Sequence, residues 1–255
     1  MLIKNLKIQS RIFFDWLVSN KLTLNYKKTK FMLFAHKFIS KRCLKKVNLN
    51  INKHNIQQVS VFKYLGVYLD NKLTWQEHVN YLKSKLAKIT GMFYKMRYYT
   101  PRKVLMLVYH ALVGSFLRYG IGAWGSCSSQ LQTAQDKVIR ALLFLSYDSD
   151  TNSGLSQLKI LNVKNIYKHE VVKLIHSVHF KYCPSAFSNF FEMSSHTFPT
   201  RLRETSVFSL SKPRTELGKK SLKFSGVQKW FDLPSHLKDI QEPKKFNKNF
   251  KTAFI

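Results

Sequence analysis

The stretch WLVSNKLTLNYKKTKFMLF, Trp16 to Phe34, closes a helical run and opens a short apolar one; FKYLGVYLDNKLTWQEH, Phe62 to His78, makes the same change in reverse. Upstream, Ile8, Ile12, Phe13, Trp16 and Leu17 fall at helical spacing and stop at the turn-forming Ser19-Asn20, which predicts an amphipathic helix. Downstream, Thr29 to Ala35 (TKFMLFA) is short and aromatic with no turn residue, and Val47 to Ile51 alternates apolar with polar. Both read as strands. Phe62 to Leu69 reads as a third, ended by Asp70-Asn71. Together these segments predict a small sheet with a helix packed on it over residues 1–73, and an α+β fold for the chain.

The rest of the chain carries a helical period. Thr74 and Glu77 have the spacing of a capping box. Val79, Leu82, Leu86, Ile89, Phe93 and Met96 then recur at steps of three and four, one buried face of a long helix. Thr100-Pro101 restarts a helix, Thr as cap and Pro at the first position, running to about Arg118 before the glycines of YGIGAWGS. Leu131 to Leu145 and Val163 to Tyr182 are two more amphipathic helices, and with them residues 74–184 form a helical region. Between 185 and 217 the composition shifts to Ser, Thr, Pro and basic residues, which reads as a linker or arm. Residues 218–255 return Phe224, Trp230 and Phe231 in short helices and end in a basic helix from Phe246 to Phe254.

Forty-three Lys plus Arg stand against 13 Asp plus Glu in 255 residues, a net charge of +30, which implies a polyanionic partner. Nucleic acid fits better than a membrane surface, because the lysines run through every segment instead of gathering on one amphipathic helix. Cys43, Cys127 and Cys183 are odd in number and far apart, which argues against a disulfide framework. Lys4, Lys7 and Arg11 interrupt any apolar leader, so an intracellular protein, nuclear or cytoplasmic, is expected. The longest apolar stretch, Val104 to Leu117, contains His110 and is too short for a membrane span, and no membrane association is expected.

Lys85, Lys88 and Lys95 make a stripe beside the apolar face of the long helix, with Arg97, Arg102 and Lys103 at the following turn. Glu77 is the one acidic residue from Trp75 to Arg118, whereas a merely solvated helix mixes signs. The six cations are therefore candidate phosphate contacts, which give affinity without reading sequence. The seven aspartates, Asp15, Asp70, Asp136, Asp148, Asp150, Asp232 and Asp239, include no adjacent pair for a two-metal site. Asp148 and Asp150 read as loop residues, and His176, His179 and Cys183 fall one ligand short of a zinc site.

The segments Trp16–Phe34 and Phe62–His78 resemble the palm-to-thumb part of non-LTR (LINE-type, jockey-like) retrotransposon reverse transcriptases. YHALVGSFLRYGIGAWG from Tyr109, LQTAQDKVIRALL from Leu131 and GKKSLKFSGVQKW from Gly218 extend the resemblance more loosely. It implies a palm-edge remnant, a helical thumb and a basic tail of an RNA-directed DNA polymerase. The partner would be template and primer, as RNA, RNA/DNA hybrid or DNA. By this resemblance Lys28 corresponds to a lysine near the leaving pyrophosphate. Tyr64, Leu65 and Gly66 belong to a primer-grip-like hairpin, where Gly66 permits close approach to the primer end. The family's Ala-Asp-Asp turn lies upstream of the position of Trp16. The chain alone is thus expected to hold no catalytic residue beyond Lys28, no metal and no cofactor, with magnesium belonging to the complete polymerase and its N-terminal half a further partner. A basic binding protein repurposed from a retroelement, and a decayed reading frame, are the alternatives.

Overall fold

The computed structural model describes residues 2–34, 48–187, 190–191, 208–210 and 213–255, which fall in two compact units, 1–78 and 79–255. The architecture is α+β, with helices in the majority.

The first unit packs helix α1 (Leu2–Ser19) on a three-stranded sheet of β1 (Lys30–Phe31), β2 (Leu49–Ile51) and β3 (His54–Gln58) in the order β1-β3-β2. β1 runs parallel to β3, with Lys30 opposite Gln57, and β2 antiparallel to it, with Leu49 opposite Ile56. Asn52 and Lys53, at φ 45° and 65°, make the two-residue turn that joins β2 to β3. Leu49, Ile51 and Ile56 form the core, and Leu6, Phe14, Leu24, Tyr26 and Phe31 pack on it.

The helix is where the sequence predicts it, but its phase differs. Ile8, Ile12, Phe13 and Trp16 are each more than half exposed, while Leu6, Phe14 and Leu17 face inward. α1 is apolar on more than one side, and strands of two to five residues cover only one of them. The predicted strand Thr29–Ala35 shrinks to two residues, and that at Val47–Ile51 begins at Leu49; Ala35 and Val47 lie outside the described residues. β3 was not expected: its sequence, HNIQQ, is polar, and only Ile56 is buried. The segment Phe62–Leu69, which its alternation predicts as one strand and the resemblance as a hairpin, is a hairpin of β4 (Val61–Tyr64) and β5 (Val67–Asp70), paired from Val61 opposite Asp70 to Tyr64 opposite Val67. The turn is Leu65-Gly66, both at positive φ. Leucine is a poor residue for that conformation, so Gly66 alone signals the turn in the sequence.

Asp70 ends the hairpin and shapes the entry to the next helix. Its carboxylate accepts the amides of Lys72 and Thr74 at 3.0 Å and of Trp75 at 2.7 Å. Burial would raise its pKa, but these amides and the Thr74 hydroxyl bond to the ionised form and hold it below the usual carboxylate range. Asp70 thus organises the turn that contains Thr74, and α2 begins at Gln76 and runs to Met96.

In the second unit Val79, Leu82, Leu86 and Phe93 are buried along α2, as their spacing requires. The next helix starts at Arg102 with Pro101 as its cap in place of Thr100, becomes π-helical from Tyr109 to Gly114, and ends at Arg118. Gly120, at φ 63°, turns the chain into a short helix, Ile121–Trp124, and a 3-10 segment, Gly125–Leu131. α3 (Gln132–Leu143) and α4 (Val163–His179) follow, the latter capped by the Asn162 side chain on the Asn165 amide. α5 (Pro243–Phe254) packs back on α4.

The predicted separation of a helical region, 74–184, from a C-terminal region, 218–255, gives way to one core. His176 Nε2 meets the Ile240 carbonyl at 2.7 Å, and its ring stacks on Phe246. His179 lies against Phe208 and Trp230. His176 is a core residue, and His179 is half-buried at the edge of the same aromatic cluster. Phe191 and Phe208, inside the expected 185–217 arm, are also buried there, because a few aromatic anchors suffice to dock a segment whose average composition is polar; 192–207 lie outside the described residues.

No single described helix is long and apolar enough to cross a membrane. The bent pair Arg102–Arg118 and Ile121–Leu143 passes on length and composition together, but Leu105, Val113, Leu117, Val138 and Ile139 on it are buried in the protein core.

Candidate nucleic-acid interface

α2 and α3 border a groove in the second unit. Lys83, Ala87 and Thr90 form one wall, Gln130, Thr133, Ala134 and Lys137 the other, around a volume of about 400 Å³. Small side chains keep its floor open, and an exposed lysine stands on each side. Asp136, the acidic residue nearest in sequence, is occupied: its carboxylate accepts from Gln132 Nε2 at 2.8 Å and Thr151 Oγ1 at 2.9 Å.

Further along both helices lies an aromatic cluster built on Arg97. The guanidinium carbon is 4.8 Å from the ring centre of Tyr94, 4.9 Å from that of Tyr98 and 4.6 Å from that of Phe144. Nη2 also donates to Tyr98 Oη at 2.8 Å, while Nε is buried without a hydrogen-bond partner. Phe144 reaches this place because α3 ends on it in the left-handed conformation, at φ 56°. Cation–π attraction offsets the cost of burying part of the guanidinium. Arg140 repeats the motif, 6.0 Å from the Tyr147 ring, and its Nε donates to the Ser149 carbonyl at 3.1 Å. Tyr98, Phe144 and Tyr147 are each more than half exposed, and Tyr99 is 91% exposed, so flat ring surface is presented to solvent beside fixed positive charge.

The lysine stripe expected from the sequence occupies another face. Lys88 and Lys95 are exposed, and Lys85 is half-buried with Nζ 5.6 Å from the Tyr81 ring centre. At 100° per residue the stripe lies roughly 150° around α2 from the groove line of Lys83, Ala87 and Thr90. Arg102 and Lys103 are exposed at the start of the next helix. Arg97, also expected as a phosphate contact, is held among three rings.

In the first unit Tyr64, Leu65 and Gly66 come together at the tip of the β4–β5 hairpin, with Tyr64 57% and Leu65 71% exposed. Lys28 is exposed in the Tyr26–Lys28 turn, where its amide bonds to Asn25 Oδ1 at 3.1 Å. The magnesium expected for a complete polymerase finds no fitting ligand set among the described residues. The Asp70 carboxylate is engaged by backbone amides, Asp136 Oδ1 accepts from Gln132 and Thr151, and Asp150 accepts both nitrogens of Asn152 in a local loop.

Sequence reasoning missed Lys83, Lys137, Arg140, Tyr98 and Phe144. The run Arg97-Tyr98-Tyr99 was the available signal, a cation beside exposed-type aromatics, but pairing it with Phe144 requires knowing which helices are neighbours. No family model, no curated protein and no solved structure matches the chain. The geometry itself offers cations to phosphates along the groove and ring faces to bases at its end.

Proposed function

We propose that this chain binds nucleic acid without sequence preference, as the palm-edge and thumb portion of a non-LTR retrotransposon reverse transcriptase holding template and primer. The observation that carries the binding reading is the α2–α3 groove, with Lys83 and Lys137 on its two sides and the Arg97 aromatic cluster beyond. The scarcity of carboxylates, 13 against 43 basic residues, leaves those cations available for phosphates. The template–primer reading is supported by the phrases Trp16–Phe34 and Phe62–His78 and by the exposed turn at Leu65-Gly66, where the lack of a side chain at Gly66 permits close approach to the backbone. In that role the tip meets the primer terminus.

A photoreactive group on Leu65→Cys, in a background with the three native cysteines replaced by serine, tests this on RNA template–DNA primer duplexes. The label is expected on the last one or two primer nucleotides, with binding unchanged in fluorescence anisotropy. Labelling spread evenly along the duplex would remove the primer-end role, and affinity that stays flat as salt rises would remove phosphate binding as well.

A further inference from the structure

We infer that the cavity between the π-helical segment Tyr109–Gly114 and the C-terminal helix binds a phosphate group. The cavity, about 80 Å³, gathers His110 and Gly114 from the π-helical turn, Arg118 one turn on, Lys159 from the loop before α4, Ile166 of α4 and Lys251 of α5. It lies within the second unit, involves none of the groove residues, and stands whether or not the groove takes nucleic acid.

Three permanent cations and an imidazole thus converge from segments far apart in sequence. The carboxylate of Glu170 lies 3.5 Å from Arg118 Nε. The other end of the guanidinium lies over Gly114, where an added Cβ would come within 3.1 Å of Nη1 and 3.9 Å of His110 Nδ1. Glycine therefore leaves room for the guanidinium against the helix backbone. Lys251 is placed by the docking of the chain end: Asn165 Nδ2 donates to the Phe254 carbonyl at 2.8 Å, and Ser156 Oγ to that of Ile255 at 3.0 Å. Lys159 sits in the left-handed conformation, φ 53°, at the end of the Asn152–Gln157 helix. Partial desolvation of the ring and, after it, the neighbouring positive charges of Arg118 and Lys251 already disfavour a proton on His110.

Like charges drawn together around a cavity repel, and an anion between them reverses the sign of each interaction. A volume of about 80 Å³ is enough for one tetrahedral oxyanion. Guanidinium and ammonium donors suit the acceptor oxygens of phosphate. The same chemistry is offered by free inorganic phosphate and by a phosphate of a nucleic-acid strand, and competition separates the two.

The test is the broadening of the ³¹P resonance of inorganic phosphate on titration with full-length protein, at ionic strength fixed with chloride. Saturable broadening is expected for the wild type and for the charge-matched control Lys220→Gln/Lys244→Gln, with at least a tenfold loss of affinity in Arg118→Gln/Lys251→Gln. Equal broadening in all three proteins would mean diffuse attraction by the net charge and would overturn the site. Lys251→Gln alone, at an exposed position, supplies the comparison if the double variant folds poorly. Competition by a 5′-phosphorylated dinucleotide but not its unphosphorylated form assigns the site to strand ends, competition by both to backbone phosphate, and competition by neither to free phosphate.

Discussion

Gly125 shows how closely single residues are set in the helical unit. It opens the 3-10 segment against the ring of Tyr167, and a Cβ there would fall inside that ring. Tyr167 cannot swing aside freely, since it is buried and its hydroxyl lies 3.4 Å from Ser225 Oγ. Gly125→Ala should therefore cost about 2–3 kcal/mol through overpacking. Urea unfolding measures it; an unchanged midpoint would show that the segment yields at no cost. Gly154 and Gly226 make similar close contacts, with Leu143 and Ile175, but there the neighbours are flexible aliphatic ends and the expected cost is smaller.

At the scale of elements, α2 presents two basic faces, and they make different demands. The stripe of Lys85, Lys88 and Lys95 was legible because a charge period can be counted along one helix. The groove face of Lys83 needed α3 beside it, since neither wall alone is a site. If the groove is the principal track, Lys83→Glu/Lys137→Glu should weaken binding to an RNA/DNA hybrid by more than tenfold and lower the salt slope by about two. Lys85→Glu/Lys88→Glu should do less, although both variants change the net charge equally. Anisotropy titrations at several salt concentrations decide it, and equal losses would assign the affinity to diffuse charge. The hairpin teaches the same lesson at a smaller size. Alternation in FKYLGVYLD suits one strand or two, and the chain turns at Leu65-Gly66 because pairing Val61 with Asp70 completes a ladder that the isolated sequence does not contain.

For the whole molecule, histidines set the response to acid. His78, His110, His176 and His179 all have pKa values below the ordinary histidine value, in each case chiefly through burial. His176 is also lowered by His179, while its bond to the Ile240 carbonyl works in the opposite direction. A histidine with a lowered folded pKa binds its proton more tightly when unfolded. Stability is then complete above about pH 7 and is lost as pH falls through 6.5 toward the folded values. For buried His176 the slope reaches at most about 1.4 kcal/mol per pH unit. The melting temperature should be flat from pH 8 to 7 and fall from 7 to 5, less steeply in His176→Phe. High salt screens the repulsion among surface cations but leaves burial untouched, so the fall should persist there. A melting temperature that rises on acidification would mean that these rings are not buried neutral. Asp70 and Glu170, both held below ordinary carboxylate values, contribute stability that goes only below about pH 4, outside this window.

The sequence by itself determined what is local: the α+β class, the helix of Val79, Leu82, Leu86 and Phe93 with its lysine stripe, and a charge balance that asks for a polyanion. Periodicity and composition are properties of consecutive residues, and backbone geometry converts them directly into faces. Only the tertiary structure decided which face of α1 is buried, since that depends on the few residues of sheet that reach it. It also decided that His176 and His179 lie in an aromatic cluster with Trp230 and Phe246. Above all it brought Lys137 and Phe144 beside α2, and Lys251 beside Arg118. Those neighbours are fixed by the packing of helices far apart in the chain, and no spacing along the sequence encodes a distance across it.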